Sequence, residues 1–141
     1  MRETMRHEGC VLIGIDLDKD PAVLEAAYND AAGVTAEFTL NLLRRLNREI
    51  GSDFDPAQFR HRAVYARERQ RIETFLVSQR MQQVHVAGHR FDFAAGEAME
   101  VEYSHKYSDQ SFGEMAAASR PARQPRLAQD DAFGLRLLQA M

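Results

Sequence analysis

The chain has 141 residues, 45% of them hydrophobic and 28% charged, which are the proportions of a globular domain, or part of a larger one, rather than of a disordered chain. Its formal net charge of −3 gives no basic surface and argues against a nucleic-acid partner. The single cysteine excludes an internal disulfide framework and a cysteine-rich zinc site, and we expect Cys10 to be a small buried residue. No apolar run is long enough for a membrane span, so we expect a cytoplasmic protein.

The first predicted element is a strand over residues 10–16, CVLIGID, which ends in Asp16. A continuous apolar run is typical of a strand buried on both faces in a parallel α/β sheet. An acid at the carboxyl end of such a strand often lies near a ligand crevice. A helix follows, with Asp20 as its cap, Pro21 in the first position and an apolar stripe of Val23, Leu24 and Ala27.

Two further helix starts come next. Thr35 is predicted to cap a second helix that ends at Gly51, and its apolar residues at helical spacing are Phe38, Leu42, Leu43, Leu46 and Ile50. Within 54–59, FDPAQF, Asp55 is the expected cap of a short third helix. Gln58 has capping-box spacing there, and Phe54 and Phe59 have the spacing of a hydrophobic staple.

After residue 60 the pattern changes from helices to strands. Residues 61–80 predict two strands joined by a charged turn, and 82–97 predict a hairpin around Gly88 and His89, with Gly96 in the following turn. AMEVEYSHKY would then be the last strand of this meander. A short helix capped by Ser108, a broken basic stretch (RPARQPRL) and a final strand (AFGLRLLQ) complete the chain.

Most of the candidate motifs favour ordinary structural roles. Of the five histidines, His85 and His89 flank a predicted turn, but a metal site would need a third ligand placed by the fold. The arginines of the second helix and of the basic stretch are more typical of solvated faces than of phosphate sites. GxSxG, GxxxxGK[ST] and GxGxxG are all absent, so no usual phosphate or ribose loop is predicted.

The strand VEYSHKY, 101–107, raises a sharper question. Side chains alternate along a strand, which would put Glu102, Ser104 and Lys106 on one face. A solvated face is the commoner interpretation of such a pattern. The functional alternative is that the carboxylate and the hydroxyl hold a polar ring or an amine.

Five segments of this chain, taken together, closely resemble one protein family. They are DLDKDP (16–21), AYNDAAGVTAEF (27–38), LNREIGSDFD (46–55), FAAGE (93–97) and EYSHKYS (102–108). The family is that of the histidine-specific, S-adenosylmethionine (SAM)-dependent methyltransferases. Its best-known members trimethylate the α-amino group of L-histidine on the route to ergothioneine.

This resemblance implies an α/β fold. The chain would be the C-terminal part of a Rossmann-like SAM methyltransferase with its inserted α+β substrate-binding domain. Residues 1–16 would be the end of the sheet, with its fifth strand. Residues 17–106 would be the inserted domain, with helices followed by an antiparallel β meander, and 107–141 would return to the sheet.

The resemblance also implies substrate contacts. A Glu and a Ser two positions apart face the imidazole of bound histidine in the family, and they correspond to Glu102 and Ser104. Thr35 matches a position near the polar end of the substrate. Thr74 falls where the family often has a Met that lines the ring pocket. We expect no catalytic, cofactor-binding or metal-binding residue in this chain, because the family's glycine-rich SAM site belongs to a part of the fold that the resemblance does not cover.

The expected function is therefore the imidazole side of a histidine methyltransferase pocket, inactive alone and without SAM of its own. Its partners would be a histidine-like small molecule and either a complementary N-terminal half or further copies of the chain, with no nucleic acid and no membrane. Two alternatives stay open: a non-catalytic module that binds histidine or a related amine, and a structural homo-oligomer that pairs its orphan strands.

Overall fold

A computed structural model describes residues 10–118, 122–123, 126–130 and 132–140, which form a mixed α/β structure. In chain order the elements are β1 (Cys10–Asp16), α1 (Pro21–Tyr28), α2 (Val34–Ile50), β2 (Phe59–Ala66), β3 (Arg71–Ser78), β4 (Gln82–Val86), β5 (His89–Phe93), β6 (Ala98–His105), α3 (Asp109–Ala118), β7 (Ala122–Arg123), β8 (Arg126–Gln129) and β9 (Phe133–Ala140). The chain divides into two compact units. The first unit is Met1–Lys19 with His105–Met141, and the second unit is Asp20–Ser104.

The sheet of the first unit is antiparallel. β1 pairs with β9 from Cys10 opposite Gln139 to Asp16 opposite Phe133, and β7 and β8 also pair with β9. Against this sheet α3 packs Phe112 and Ala116 onto a core that includes Ile15 and Leu17. As predicted, Ser108 caps α3, since its Oγ accepts a hydrogen bond from the backbone N–H of Ser111 at 3.0 Å.

Two expectations for β1 are wrong. The strand is not buried on both faces, because its residues alternate between partly buried and exposed, and Leu12 is 60% exposed. Cys10 is also exposed. Within the described residues α3 covers the face of β1 that carries Ile13 and Ile15, and Leu12 on the opposite face remains at the surface.

Two segments of the first unit, one on each side of the second unit in sequence, lie side by side. Leu17 forms a parallel bridge with Tyr107. The N–H of Tyr107 donates to the carbonyl of Asp16 at 2.9 Å, and the N–H of Asp18 donates to the carbonyl of Tyr107 at 3.0 Å. The chain therefore leaves and re-enters the first unit at one place.

In the second unit, the helix ends follow local rules with one exception. Asp20 caps α1 by accepting from the N–H of Ala22 at 2.8 Å, and Gly51 ends α2 in the left-handed conformation, with φ of 68°. The prediction that Thr35 caps α2 is wrong. Gly33 occupies the cap position, and the carboxylate of Asp30 accepts from the N–H groups of Val34 and Thr35, both at 2.9 Å.

The apolar stripes of the two helices are only partly buried. In α1, Leu24 is buried whereas Val23 is exposed, and in α2, Leu43 is fully buried whereas Phe38 is 72% exposed. Helical spacing therefore identified the helices correctly but overestimated how much of each apolar face the described residues cover.

The strands of the second unit form two separate sheets. One has the order β2-β3-β6, and the other is the β4–β5 hairpin. The prediction of a continuous meander is therefore wrong, since β6 returns to pair with β3. The hairpin turn lies one residue earlier than expected, at Ala87 and Gly88, whose φ angles of 48° and 81° suit a tight two-residue turn. Gly96, with φ of 83°, occupies the next turn as predicted.

The core of the second unit consists of two clusters. The larger comprises Leu43, Phe54, Phe59, Leu76 and Val84, and the staple pair Phe54 and Phe59 has its ring centroids 5.8 Å apart. Asp55 caps the element between these rings, which is a 3-10 helix over Pro56–Gln58. The smaller cluster comprises Leu24, Ala63 and Ile72, with Tyr28 and Tyr65 packed against it.

None of the described helices combines the length and the hydrophobicity that crossing a bilayer requires. The basic stretch RPARQPRL lies partly outside the described residues, and within it the chain forms the short strand β7 and the start of β8.

Candidate functional site

A hydrogen bond joins Tyr28 to Ser104 across the three-stranded sheet. The hydroxyl of Tyr28 donates to Oγ of Ser104 at 2.6 Å. The carbonyl oxygen of Tyr28 accepts from Nε2 of His61, on β2, at 2.8 Å. Because β3 lies between β2 and β6, Tyr28 extends over the middle strand from one neighbour to the other. Ser104 was predicted from the sequence, whereas Tyr28 was not singled out.

The position of Tyr28 follows from how the end of α1 is attached to β2. The side chain of Asn29 accepts from the N–H of Ala63 at 3.0 Å and donates to its carbonyl at 2.9 Å. One turn earlier, Glu25 accepts from the N–H of Tyr65 at 2.8 Å. These side chains satisfy backbone groups on the side of β2 away from β3, as a neighbouring strand would.

Thr74 lies on β3 beneath this bridge. It shares a face of the strand with Ile72, which packs in the cluster with Tyr28, and it sits opposite Ala63 on β2. Thr74 is 1% exposed, and its Oγ1 has no hydrogen-bond partner among the described residues. A buried hydroxyl without a partner is unfavourable, so this atom calls for a physical reason.

The alternation of partly buried and exposed side chains along β6 is interrupted near Ser104. Met99 and Val101 pack against the cluster that contains Leu76, and Ser104 bonds to Tyr28 beside Ile72. Met99, Val101 and Ser104 are the partly buried residues of β6, so a spacing of two gives way to a spacing of three between Val101 and Ser104. Such an interruption resembles a β-bulge, a feature found near functional sites. Glu102 lies inside it and is exposed.

The structure separates Lys106 from this group. Lys106 follows β6, and its side chain is completely buried in the first unit, where Nζ lies 2.7 Å from the Asp16 carboxylate. The expectation that Lys106 shares one strand face with Glu102 and Ser104 stays a prediction, since Lys106 follows the end of β6 and belongs to the other unit. Lys19 approaches the same carboxylate at 2.9 Å. Burial alone would raise the pKa of Asp16, but the hydrogen bonds and charges of the two lysines outweigh it and lower that pKa.

Thr35 takes part in the start of α2. Its N–H donates to Asp30, and its carbonyl accepts from Oγ1 of Thr39 at 2.9 Å. The N–H groups of Thr35 and Val34 hold the pKa of Asp30 below its usual range.

The histidines of the β4–β5 hairpin do not form a metal site in the described chain. Nδ1 of His85 lies 3.0 Å from the carboxylate of Asp53, and the pKa of Asp53 is lowered, first by the N–H of His85 and then by its ring. Within the described ranges, no three His, Cys, Asp or Glu side chains are placed to hold a metal ion.

Among the described residues, the glycines with left-handed backbone angles serve local turns. Four glycines have left-handed backbone angles, and each is accounted for by a local turn: Gly33 and Gly51 at the ends of α2, and Gly88 and Gly96 between strands. None of these four lies in a strand–turn–helix loop of the kind that lets backbone approach a nucleotide.

Comparison with known proteins points to one family. A family model described as histidine-specific methyltransferase, SAM-dependent, matches residues 1–140. A histidine N-alpha-methyltransferase of Mycolicibacterium smegmatis is 43% identical over 109 residues, which cover 76% of this chain and 34% of that protein. The enzyme of the same name from Mycobacterium tuberculosis is 44% identical over 117 residues, covering 81% of this chain and 36% of that protein.

A third relative matches a shorter part of this chain. The ergothioneine biosynthesis protein 1 of Neurospora crassa is 40% identical over 70 residues, which cover 40% of this chain and 8% of that protein. The chain thus spans about a third of the length of the two bacterial relatives.

Proposed function

Since this chain belongs to the family of histidine-specific, SAM-dependent methyltransferases, we propose that it forms the imidazole side of a histidine pocket. The complete enzyme would methylate the α-amino group of L-histidine, in the cytoplasm and on an ergothioneine-type route. The names of the three relatives support this assignment of substrate and pathway.

The observation that carries the proposal is the bridge between Tyr28 and Ser104, with Glu102 two residues away on the interrupted strand. A neutral imidazole ring presents one N–H donor and one nitrogen acceptor. A carboxylate accepts the first, and a hydroxyl can donate to the second. The hydrogen bond from Tyr28 restricts the rotation of the Ser104 hydroxyl, so that Glu102 and Ser104 suit a single orientation of the ring.

Two further contacts belong to the proposal. Thr74 would line the ring from β3, and Thr35 would lie towards the polar end of the substrate. The first is supported by the burial of Thr74 beneath the bridge. The second rests on the position of Thr35 in the motif, since its described hydrogen bonds serve the start of α2.

For the architecture, we propose that the first unit is the C-terminal part of a Rossmann-like sheet and the second unit the inserted substrate-binding domain. β1 would be the fifth strand of that sheet. The donor side of the pocket would come from the two thirds of the relatives' length that this chain does not cover. The chain alone would neither bind SAM nor transfer a methyl group.

Calorimetry with L-histidine tests the binding part of this proposal. Wild type should bind, and Glu102→Ala should weaken binding roughly 10-fold or more, because a charge-assisted hydrogen bond contributes about 1.5 to 3 kcal/mol. Glu100→Ala is the matched control, since Glu100 lies on the same strand but accepts from Tyr103 instead. Absence of heat with wild type at millimolar histidine, or equal losses in both variants, would count against the pocket.

A methyl-transfer assay with SAM tests the remaining part. We expect no turnover by the purified chain, and turnover would overturn the proposal that it supplies only the substrate side. In a second assay, the segment of a relative that this chain does not match is added to the purified chain. Histidine binding without any turnover in this mixture would favour the non-catalytic binding module.

A homo-oligomer is the second candidate, favoured because β1 is an edge strand among the described residues and carries Leu12, which is 60% exposed. Two such strands could pair at this edge. Light scattering that shows a monomer at micromolar concentration would remove this candidate.

A further inference from the structure

One edge of the β4–β5 hairpin is open. β5 pairs with β4 along one edge and, among the described residues, with no strand along the other. The outer edge of β4 is covered, because the carboxylate of Asp53 accepts from the N–H of His85 at 2.6 Å and the N–H of Asp53 donates to the carbonyl of His85 at 3.2 Å. An open strand edge presents backbone donors and acceptors to which a further strand can pair.

The register of the hairpin identifies the backbone groups that β5 presents at its open edge. His85 directs its N–H and its carbonyl away from β5, towards Asp53, and it lies opposite Arg90. In an antiparallel pair, two residues opposite each other either both bond across the pair or both point away from it. Arg90 and, two positions later, Asp92 therefore direct their N–H and C=O groups to the open edge, whereas those of Phe91 face β4.

The side chains of β5 form a charge pattern that is complementary to itself in the antiparallel direction. Arg90 and Asp92 lie on one face of the strand, with Nη2 3.0 Å from Oδ2, and their side chains are 61% and 62% exposed. If a second β5 pairs around Phe91, Arg90 of each copy lies opposite Asp92 of the other. A register centred on Arg90 or on Asp92 would instead place like charges opposite each other, which is unfavourable.

We propose that the open edge of β5 binds the same edge of a second copy of this chain, around a two-fold axis at Phe91. The two hairpins would then form one continuous antiparallel sheet. The register that pairs opposite charges also places the outward N–H and C=O groups of Arg90 against those of Asp92, so that backbone hydrogen bonds form on both sides of the axis. Phe91 is 50% exposed and would meet its own counterpart at the axis, where aromatic cross-strand pairs are stabilising.

The dimer should be weak and should form independently of histidine binding. Pairing of two five-residue strands is a small contact, below the roughly 1,200 Å² that specific stable interfaces bury. The contact uses neither Glu102 nor Ser104, and it differs from pairing at the edge of β1. The inference therefore goes beyond the proposed function and can fail without it.

Sedimentation equilibrium of the full chain, from micromolar to millimolar concentration, tests this pairing. Wild type should dimerise as its concentration rises. Arg90→Asp and Asp92→Arg each place like charges opposite each other across the axis, so each should weaken self-association at least about 10-fold. An equimolar mixture of these two variants restores opposite charges and should dimerise about as well as wild type. Arg80→Asp is the matched control, since Arg80 is exposed and lies outside β5, and it should leave dimerisation unchanged.

A double variant, Arg90→Asp with Asp92→Arg, guards against a general effect of substitution in β5. It keeps the net charge and the self-complementary pattern, so it should dimerise like wild type, and circular dichroism checks that every variant is folded. Wild type that stays monomeric at millimolar concentration would overturn the inference. Dimerisation that neither single variant weakens would also overturn it and would place the contact elsewhere, as would a mixture that stays monomeric. None of these results bears on histidine binding, which tests the proposed function separately.

Discussion

The ammonium group of Lys106 lies 2.7 Å from the carboxylate of Asp16, and the lysine side chain has no exposed surface. A fully buried cation depends strongly on its counter-charge, because removing the counter-charge leaves the cation away from water without that compensation. We therefore expect Asp16→Asn to lower the free energy of unfolding by about 3 kcal/mol. Lys19→Met is the control: Lys19 is partly exposed, and its loss should cost under about 1 kcal/mol. Urea unfolding at pH 7 measures both, and similar losses would contradict the dominance of the buried pair.

The same ion pair predicts that the stability of the protein decreases at low pH. The pKa of Asp16 is lowered in the folded protein, so its contribution is fully present above the ordinary carboxyl pKa of about 3.9. It is lost as the pH falls below that value through the lowered folded-state pKa. Stability curves between pH 7 and pH 2.5 should fall more steeply in acid for wild type than for Asp16→Asn. Parallel curves would show that Asp16 does not supply this dependence.

Removal of the Tyr28 hydroxyl should lower the stability of the folded protein even in the absence of ligand. Tyr28→Phe keeps the ring but breaks the 2.6 Å bond to Ser104, so we expect a loss of about 0.5 to 1.5 kcal/mol in unfolding free energy. Tyr103→Phe is the matched control, since that hydroxyl bonds to Glu100 on the exposed surface. If Tyr103→Phe is the more damaging change, the bridge over β3 does not contribute as described.

Asp30 is expected to carry the start of α2. Its carboxylate accepts two backbone N–H groups, so Asp30→Ala should cost about 1 kcal/mol, as the loss of a helix cap does, and Asp30→Asn should cost less. Thr35→Val leaves those backbone donors in place and should have the smaller effect on unfolding. A larger loss for Thr35→Val than for Asp30→Ala would return the capping role to Thr35.

The β4–β5 turn offers a stabilising change. Ala87 adopts φ of 48°, a left-handed angle that costs a residue with a Cβ roughly 1 kcal/mol. Ala87→Gly should therefore raise the unfolding free energy slightly or leave it unchanged, since relief of strain is offset in part by the entropy of the unfolded chain. Ala57→Gly, in a 3-10 helix, should lower it. Destabilisation of equal size in both variants would argue that the turn at Ala87 is not strained.

Local signals in the sequence predicted helix ends well. Asp20, Asp55 and Ser108 cap where expected, and Gly51 ends α2, because each of these interactions involves neighbours within a few residues. Thr35 failed as a cap because the carboxylate of Asp30, further upstream, supplies the acceptors instead. Asp30 and Thr35 are alternative capping residues near the start of α2, and only their three-dimensional positions decide which of them caps the helix.

Local sequence signals did not predict the contacts between residues that are far apart in the sequence. The pairing of β6 with β3 skips over the intervening β4–β5 hairpin, which proximity in sequence does not indicate. Tyr28 lies in the quoted motif AYND, yet its hydroxyl meets a residue 76 positions away. Lys106 is buried as one half of an ion pair, an uncommon position for lysine that alternation along a strand does not indicate.

The parallel bridge between Leu17 and Tyr107 has a consequence for the evolution of such a chain. Because the two segments are already held together, Asp20–Ser104 is an insertion that begins and ends at one point of the first unit. An insertion of this kind can be lengthened, shortened or exchanged without moving the sheet residues on either side of it. A variant in which a short glycine-containing turn replaces the insertion should keep the β1–β9 register, and a foreign domain with closely spaced termini should be accepted at the same position.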